Sequence, residues 1–216
     1  MTSNVMTDPR LINPPEPACL RIILVRHGQT VANRKHFLQG STDDPMTETG
    51  KKQAELLGDY LASANIDQVI SSDLARAVET AQAIARHHGL TVQPTPLARE
   101  WNCGTWDGKP ITEFLEMLKT SGLPVSALDP PGGEKLSDVK RRACSFINDL
   151  KDKHMGRTVV VCSHGDYMRM MMSCMLEIEM DQANALRFDN ASYSIAEYDG
   201  VEWRLLAMSC LPMACV

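Results

Sequence analysis

The sequence predicts an α/β fold: a three-layer α/β/α sandwich around a mixed, mostly parallel sheet. Three observations carry this. Short runs of apolar, β-branched residues alternate with segments whose apolar residues recur at helical spacing. The two strongest runs, Leu20-Arg21-Ile22-Ile23-Leu24-Val25 and Thr158-Val159-Val160-Val161-Cys162, are nearly continuous in apolar character, as parallel strands covered on both faces are. The chain then closes on two runs separated by Asp199-Gly200, a hairpin signal that adds antiparallel strands.

Taken in order, residues 1–19 carry Pro9, Pro14, Pro15 and Pro17 without periodicity and read as a flexible N-terminal extension, with one domain over residues 20–216. The first strand covers 20–26. Residues 28–45 form a polar loop longer than a mere connection requires. Thr47 caps a helix that has Gly50 where a capping box places Glu, and Ala54, Leu57 and Leu61 share its inner face. Val69-Ile70 is a second strand. Ser72 or Asp73 caps the next helix, which turns Leu74, Val78, Ala81 and Ala85 inward and ends at Gly89. Residues 91–110 read as irregular, 111–120 as a short helix, and Pro130-Pro131-Gly132-Gly133 as a turn cluster. The clearest helix follows, with Leu136, Val139, Ala143, Phe146, Ile147 and Leu150 in one stripe. After the strand at 158–162 come a Met-rich helix over 166–176 and strands at 192–198 and 203–208.

Composition narrows the function. With 216 residues and 44% hydrophobic content, a sizeable core is expected. A net charge of −5 argues against nucleic acid or an anionic membrane as partner, so cations for any anionic ligand must be concentrated locally. The N-terminus lacks a basic region followed by an apolar core, and no apolar stretch reaches spanning length. The seven cysteines include no Cys-x-x-Cys spacing, which disfavours a zinc ribbon or thioredoxin-type site. Several lie within apolar stretches and read as small hydrophobes, and a reducing, cytoplasmic setting fits best. Cys162, two residues before His164, reads as a buried thiol, with redox sensitivity as the alternative.

The chemistry gathers at strand ends. Arg26-His27-Gly28-Gln29 stands at the carboxyl end of the first strand, where ligands bind in open α/β sheets. Arginine is a planar anion clamp, and histidine is a nucleophile or proton carrier near neutral pH. Ser163-His164-Gly165 occupies the equivalent place after the later strand, which favours one shared site over two unrelated loop histidines. Arg76 falls in the first turn of a helix whose free amides attract anions. Glu100, near an anion pocket, can hold a proton because burial and negative charge raise its pKa; the alternative is a surface Arg99–Glu100 pair.

In this order, Arg26-His27-Gly28-Gln29-Thr30-x-x-Asn33, Gln39-Gly40, Ser71-Ser72-Asp73-Leu74-x-Arg76-Ala77-x-x-Thr80-Ala81, Glu100 with Gly104 and Asp107-Gly108, Gly133-Glu134 and Ser163-His164-Gly165 resemble the histidine phosphatase superfamily, the phosphoglycerate-mutase-like fold, over about 20–208. The resemblance implies that His27 becomes phosphorylated and that Arg26, Arg76 and His164 hold the phosphoryl oxygens. It implies that Asn33 helps hold the phosphate, Gln39 lines the mouth and Gly165 belongs to the binding residues. Glu100 is implied as the proton donor that later activates water. No metal or other cofactor is implied. Within the superfamily, Pro130-Pro131-Gly132-Gly133-Glu134-x-Leu136-x-x-Val139-Lys140-x-Arg142 and Ser163-His164-Gly165-x-Tyr167-Met168-Arg169 are similar to the TIGAR type of fructose-2,6-bisphosphatase-like phosphatases.

On that likeness Arg142 and Arg169 reach toward a second anionic group, or are ordinary surface arginines; Lys109, Arg34 and Lys35 are further candidates. Asp129-Pro130-Pro131-Gly132 stands where the bifunctional kinase/bisphosphatase carries Arg and Lys, which argues against a tight fructose 2,6-bisphosphate site. Cys103 replaces an aromatic residue common in the family, and Trp101 and Trp106 either line the pocket or pack the loop. The expected activity is metal-independent hydrolysis of small phosphorylated metabolites, sugar bisphosphate or phosphoglycerate-like, through a phosphohistidine. The alternatives are a phosphoglycerate mutase, a phosphotyrosine phosphatase and a non-catalytic phosphate-ligand-binding regulator. Oligomeric state is left open.

Overall fold

A computed structural model describes residues 8–13, 15–16 and 18–212. Six strands form one sheet: β1 (Leu20–Arg26), β2 (Gln68–Ser72), β3 (Val92–Thr95), β4 (Thr158–Ser163), β5 (Tyr193–Tyr198) and β6 (Trp203–Cys210). Their order is β3-β2-β4-β1-β5-β6. β3, β2, β4 and β1 run parallel, and β5 and β6 add the antiparallel edge. The mixed, mostly parallel sheet expected from the sequence is therefore present.

Side-chain alternation explains the layers. In β1, Leu20, Ile22 and Leu24 enter one core with Val159 and Val161, while Ile23 and Val25 enter a second core with Val160 and Cys162. Helices α6 (Leu136–His154) and α7 (Gly165–Met175) cover the first face; α3 (Glu48–Leu61) and α4 (Ala75–Ala85) cover the second. All six residues of the stripe expected on α6 are buried. Thr47 caps α3 by accepting from the Gly50 amide at 3.0 Å. The register of β1 with β4 matters most for the site: Arg26 lies opposite Ser163, so His27 and His164 leave the sheet side by side.

Several expectations change. Residues 8–13 are docked rather than flexible: Pro9–Ile12 form a helical turn, α1, and Leu11 is fully buried in the second core. Its carbonyl accepts from the Asn65 amide at 2.9 Å. The prolines flanking this turn hide its one apolar anchor from a periodicity reading. Of the rest of the expected extension, residues 1–7, 14 and 17 lie outside the described residues. β3 falls in the stretch read as irregular; it is an edge strand containing Pro94, where a missing amide donor is tolerated. α4 begins with Leu74 at the N-cap, and the Asp43 carboxylate from a distant loop accepts from the Ala75 amide at 3.0 Å. Cys144 and Cys174 form a disulfide joining α6 to α7, which runs against the expectation of a reducing setting. Cys162 is a fully buried thiol whose pKa burial pushes up, as expected of a core cysteine. No helix among the described residues is long and apolar enough to cross a membrane.

Candidate active site

The parallel strand ends deliver His27 and His164 with ring centroids 5.1 Å apart. His27 is 2% exposed, and its backbone amide continues the β1–β4 ladder by donating to the Ser163 carbonyl at 3.0 Å. Its Nδ1 lies 2.8 Å from the Gly28 carbonyl oxygen, an acceptor only, so the ring donates from Nδ1 and keeps the lone pair on Nε2. Burial, then the charges of Arg76 and Arg26, holds the imidazole well below the ordinary histidine pKa. A neutral ring with an oriented, unprotonated Nε2 is the form that can attack phosphorus. Gly28 is required here: a Cβ would stand 2.4 Å from the Gly50 carbonyl oxygen at the start of α3.

Two guanidinium groups flank that ring. Arg26 donates from Nη1 to the Phe188 carbonyl at 2.6 Å, while its buried Nε has no partner. Arg76 is 1% exposed and spans three anchors: Nη1 to the Thr42 carbonyl at 2.5 Å, Nη2 to the Gly40 carbonyl at 2.8 Å, and Nε to His164 Nδ1 at 3.2 Å. Burial lowers the pKa of both, yet arginine keeps its charge in a protein interior. Since His164 Nδ1 accepts, its proton lies on Nε2, which donates to Ser72 Oγ at 2.8 Å. Burial and the Arg76 charge hold His164 well below the ordinary value, so it stands neutral beside two cations. It is therefore not a third positive centre in this arrangement.

Glu100 sits against the N-terminus of α7. Its Oε1 accepts from the amides of Trp101 at 2.9 Å and Tyr167 at 3.0 Å, and its Oε2 from that of Asp166 at 3.3 Å. Burial, reinforced by the Asp166 charge, raises its pKa against the opposing pull of these amides and Arg76. The surface Arg99–Glu100 pair does not form; Arg99 pairs with Asp73 at 2.6 Å. Gly165 bridges the two halves of the site, because a Cβ there would lie 3.7 Å from Arg26 Nε and 4.0 Å from Glu100 Oε2.

Asn33 Oδ1 accepts from the Thr30 amide at 3.2 Å and from Asn190 Nδ2 at 3.0 Å. Gln39 is held through Oε1 by the Thr30 hydroxyl at 2.8 Å. Arg26, His27, Asn33, Gln39, Arg76, Glu100, Gly165 and Arg169 thus line one cavity of about 350 Å³. Trp101 is part of its wall, whereas Trp106 packs edge-on against Phe114 at 5.5 Å outside the lining.

Arg142 does not join them. Its Nε and Nη2 each donate to the Glu134 carboxylate at 3.0 Å, and Nη1 and Nη2 donate to the carbonyls of Leu97, Arg99 and Glu100. All five donors are committed, which corrects its placement among anion-binding residues. Lys109, Arg34 and Lys35 are exposed and outside the cavity lining. The sequence reading missed Asn190, which donates to both the His27 carbonyl and Asn33 at 3.0 Å. It also missed Ser72 as the partner of His164. Among the described residues, no group of three or more His, Cys, Asp or Glu side chains could hold a metal ion.

A buried imidazole and two guanidiniums lie beside a carboxyl whose pKa burial raises, the kinds of group that phosphoryl transfer needs. The chain belongs to the histidine phosphatase superfamily (branch 1), whose family model matches residues 22–211. A protein described as a probable phosphoglycerate mutase GpmB, from Yersinia pestis (strain Pestoides F), is 31% identical over 188 residues, 85% of this chain and 87% of that protein. A mycobacterial glucosyl-3-phosphoglycerate phosphatase solved with VO3 matches with a TM-score of 0.80 and 27% identity, over 88% of this chain and 98% of that one. A phosphoserine phosphatase from Entamoeba histolytica, in complex with 3-phosphoglyceric acid, matches with a TM-score of 0.78 and 26% identity, over 88% of this chain and 96% of that one. Phosphatases and mutase-like proteins thus share the fold, and these relatives do not specifically support the narrower TIGAR-type likeness.

Proposed function

We propose that the protein hydrolyses small phosphomonoesters through a phosphohistidine. The observation that carries this is the fixed tautomer of His27: Nδ1–H is tied to the Gly28 carbonyl, which leaves the lone pair on Nε2, and His27 lines a cavity together with Arg26 and Arg76. Nε2 attacks phosphorus in line, the N–P bond forms, and the P–O bond to the alcohol breaks. The departing oxygen takes the Glu100 proton. Arg26, with its unpartnered Nε, and Arg76 balance the charge on the equatorial oxygens. His164 orients Arg76, and Asn33 and Gln39 border the anion. Water then attacks the phosphohistidine, giving its proton to the Glu100 carboxylate as the N–P bond breaks and phosphate leaves.

A mutase is the second reading, favoured by the 31% identity to a probable phosphoglycerate mutase. Hydrolysis is better supported by the cap. Residues 105–133 carry Lys109 and Lys119 against Asp107, Glu113, Glu116 and Asp129, so this segment supplies no cationic closure to retain a polyanion away from water. A cytoplasmic setting rests on composition, and the Cys144–Cys174 bond weighs against a reducing compartment.

The test is phosphate release and acid-labile phosphoenzyme formation under chelator. His27→Ala should lose both, and retained turnover in that variant refutes the mechanism. Glu100→Gln should lower turnover of an alkyl ester by about 10²–10⁴-fold while affecting a nitrophenyl ester much less, because a good leaving group needs no proton. Isomerisation of 3-phosphoglycerate faster than phosphate release establishes the mutase reading instead.

A further inference from the structure

The cavity has two chemically different halves. Arg26, His27 and Arg76 form one end, and the other is walled by Phe37, Ile111, Phe114, Leu115, Leu118 and Val125. Four of these six come from α5 (Ile111–Ser121), at the i, i+3, i+4, i+7 spacing that an amphipathic helix normally turns into a core. Here the stripe is only partly consumed by packing: Phe114 and Leu118 lie against the first core, yet no residue of α5 is fully buried, and Leu115 is 55% exposed. What remains of the apolar face of α5 is left to the cavity.

That half offers no uncompensated cation for a second anionic group. Arg142 has all five donors committed to protein acceptors. Arg169 reaches the cavity, but it pairs with Asp166 one turn earlier, and its Nε donates to the Leu186 carbonyl at 2.9 Å. The pair is neutral as a unit. A carboxylate or second phosphate beyond the scissile ester would lose its hydration against phenylalanine and leucine with no uncompensated counter-charge. A neutral ring or branched hydrocarbon would bury itself there favourably.

We infer, building on the phosphatase reading above, that the preferred substrate is a phosphomonoester of a neutral, apolar alcohol or phenol about one or two rings in size, and that bisphosphates and phosphocarboxylates are selected against. The class covers free small esters and phosphotyrosine side chains. A cavity of about 350 Å³ fits the small ester, and a phosphotyrosine peptide arm separates the two sources.

Binding and turnover test different parts of this. Calorimetry with non-hydrolysable ligands needs no chemistry: benzylphosphonate should bind the wild-type protein at least about tenfold more tightly than 3-phosphonopropionate, since an apolar pocket discriminates on that scale. Equal or reversed affinities overturn the inference even if the enzyme is an active phosphatase. In turnover, kcat/KM for 1-naphthyl phosphate should exceed that for 3-phosphoglycerate and fructose 1,6-bisphosphate by at least about tenfold, and should match or exceed that for a phosphotyrosine peptide. Faster turnover of either charged ester, or of the peptide, overturns it. Leu115→Lys adds a cation at a half-exposed wall position and should shrink the preference several-fold in favour of the phosphocarboxylate; an unchanged ratio counts against α5 as the selecting wall. Tight benzylphosphonate binding with no turnover of any ester would instead sink the phosphatase reading while sustaining the pocket's selectivity.

Discussion

Arg76 Nε donates to His164 Nδ1 across 3.2 Å, so the guanidinium of α4 and the ring at the end of β4 act as one unit. The bond fixes the neutral tautomer of His164, and in return the ring helps to aim the guanidinium whose other nitrogens hold the Thr42 and Gly40 carbonyls.

A pH dependence follows. His27 and His164 both have folded pKa values held well below 6.5 by burial and by Arg76. In the unfolded chain they take up protons near the ordinary value of about 6.5. The unfolded state therefore binds more protons below that pH, and stability falls as pH drops from about 6.5 toward the folded values. Glu100 runs the other way, because its folded pKa is raised. Urea unfolding at pH 8 and pH 5.5 should show a lower midpoint at the acid value, and His164→Gln should reduce the difference. Ring-carbon NMR titration should place both histidine midpoints well below 6.5; a midpoint at or above that value contradicts the proposed tautomers.

The strand-end half of this site is readable from sequence because its signals are local. Arg26-His27-Gly28 and Ser163-His164-Gly165 each follow an apolar run, and the parallel register then has to bring them together. Arg76 and Glu100 are legible only once the ordered motifs are taken as a set. What is lost is everything decided by distant backbone. Arg142 looks like an anion ligand until the carbonyls of Leu97, Arg99 and Glu100 are seen converging on it. Asn190 meets His27 across a sequence gap of 163, through a main-chain oxygen that has no sequence signature. The Cys144–Cys174 bond joins separate helices at a spacing of 30 residues, which no spacing rule marks. The α5 stripe shows in the sequence as a helix, but whether it faces a core or a cavity depends on the fold around it.

Arg142 holds the backbone of Glu100, the acid of the proposed reaction. Its Nη2 donates to the Glu100 carbonyl at 2.8 Å, and its salt bridge fixes Glu134, whose Oε2 accepts from the Asn102 amide at 3.1 Å. Arg142→Ala should lower kcat by roughly tenfold with KM little changed, because it loosens the acid rather than the phosphate cradle. It should also destabilise the fold by about 1–3 kcal/mol by stranding partly buried acceptors. Arg142→Lys should not rescue either effect, since an ammonium lacks the five-donor fork. A rise in KM at constant kcat would mean that the guanidinium meets substrate directly.

The Cys144–Cys174 bond ties α6, which carries Arg142, to α7, whose first turn holds Glu100 through two amides. Closing a loop of this length is worth roughly 3.5 kcal/mol against the unfolded chain in the chain-entropy picture. Reduction should therefore lower Tm by several degrees, and Cys144→Ser should unfold at the reduced value with or without reductant. Mass spectrometry of the unreduced protein after alkylation in denaturant should leave these two cysteines unmodified; labelling of both shows the bond absent.

Gly40 offers the sharpest test of how Arg76 is aimed. It adopts a φ of +44°, its carbonyl accepts from Arg76 Nη2 at 2.8 Å, and a Cβ would stand 1.9 Å from Asp107 Oδ1. Asp107 itself holds this turn by accepting from the Ser41 amide at 3.0 Å. Gly40→Ala must therefore displace either the aspartate or the turn, and with the turn go the two carbonyls that orient the guanidinium. A misplacement of about 1 Å at such a group costs on the order of 10²-fold in kcat/KM. The left-handed backbone adds strain of about 1–3 kcal/mol for a residue with a Cβ. Pairing Gly40→Ala with Asp107→Gly removes the obstacle while leaving the backbone strain in place. The double variant should recover part of the lost kcat/KM but little of the lost stability. Full activity in Gly40→Ala alone would show that Arg76 is aimed from elsewhere, leaving His164 Nδ1 as the contact that sets it.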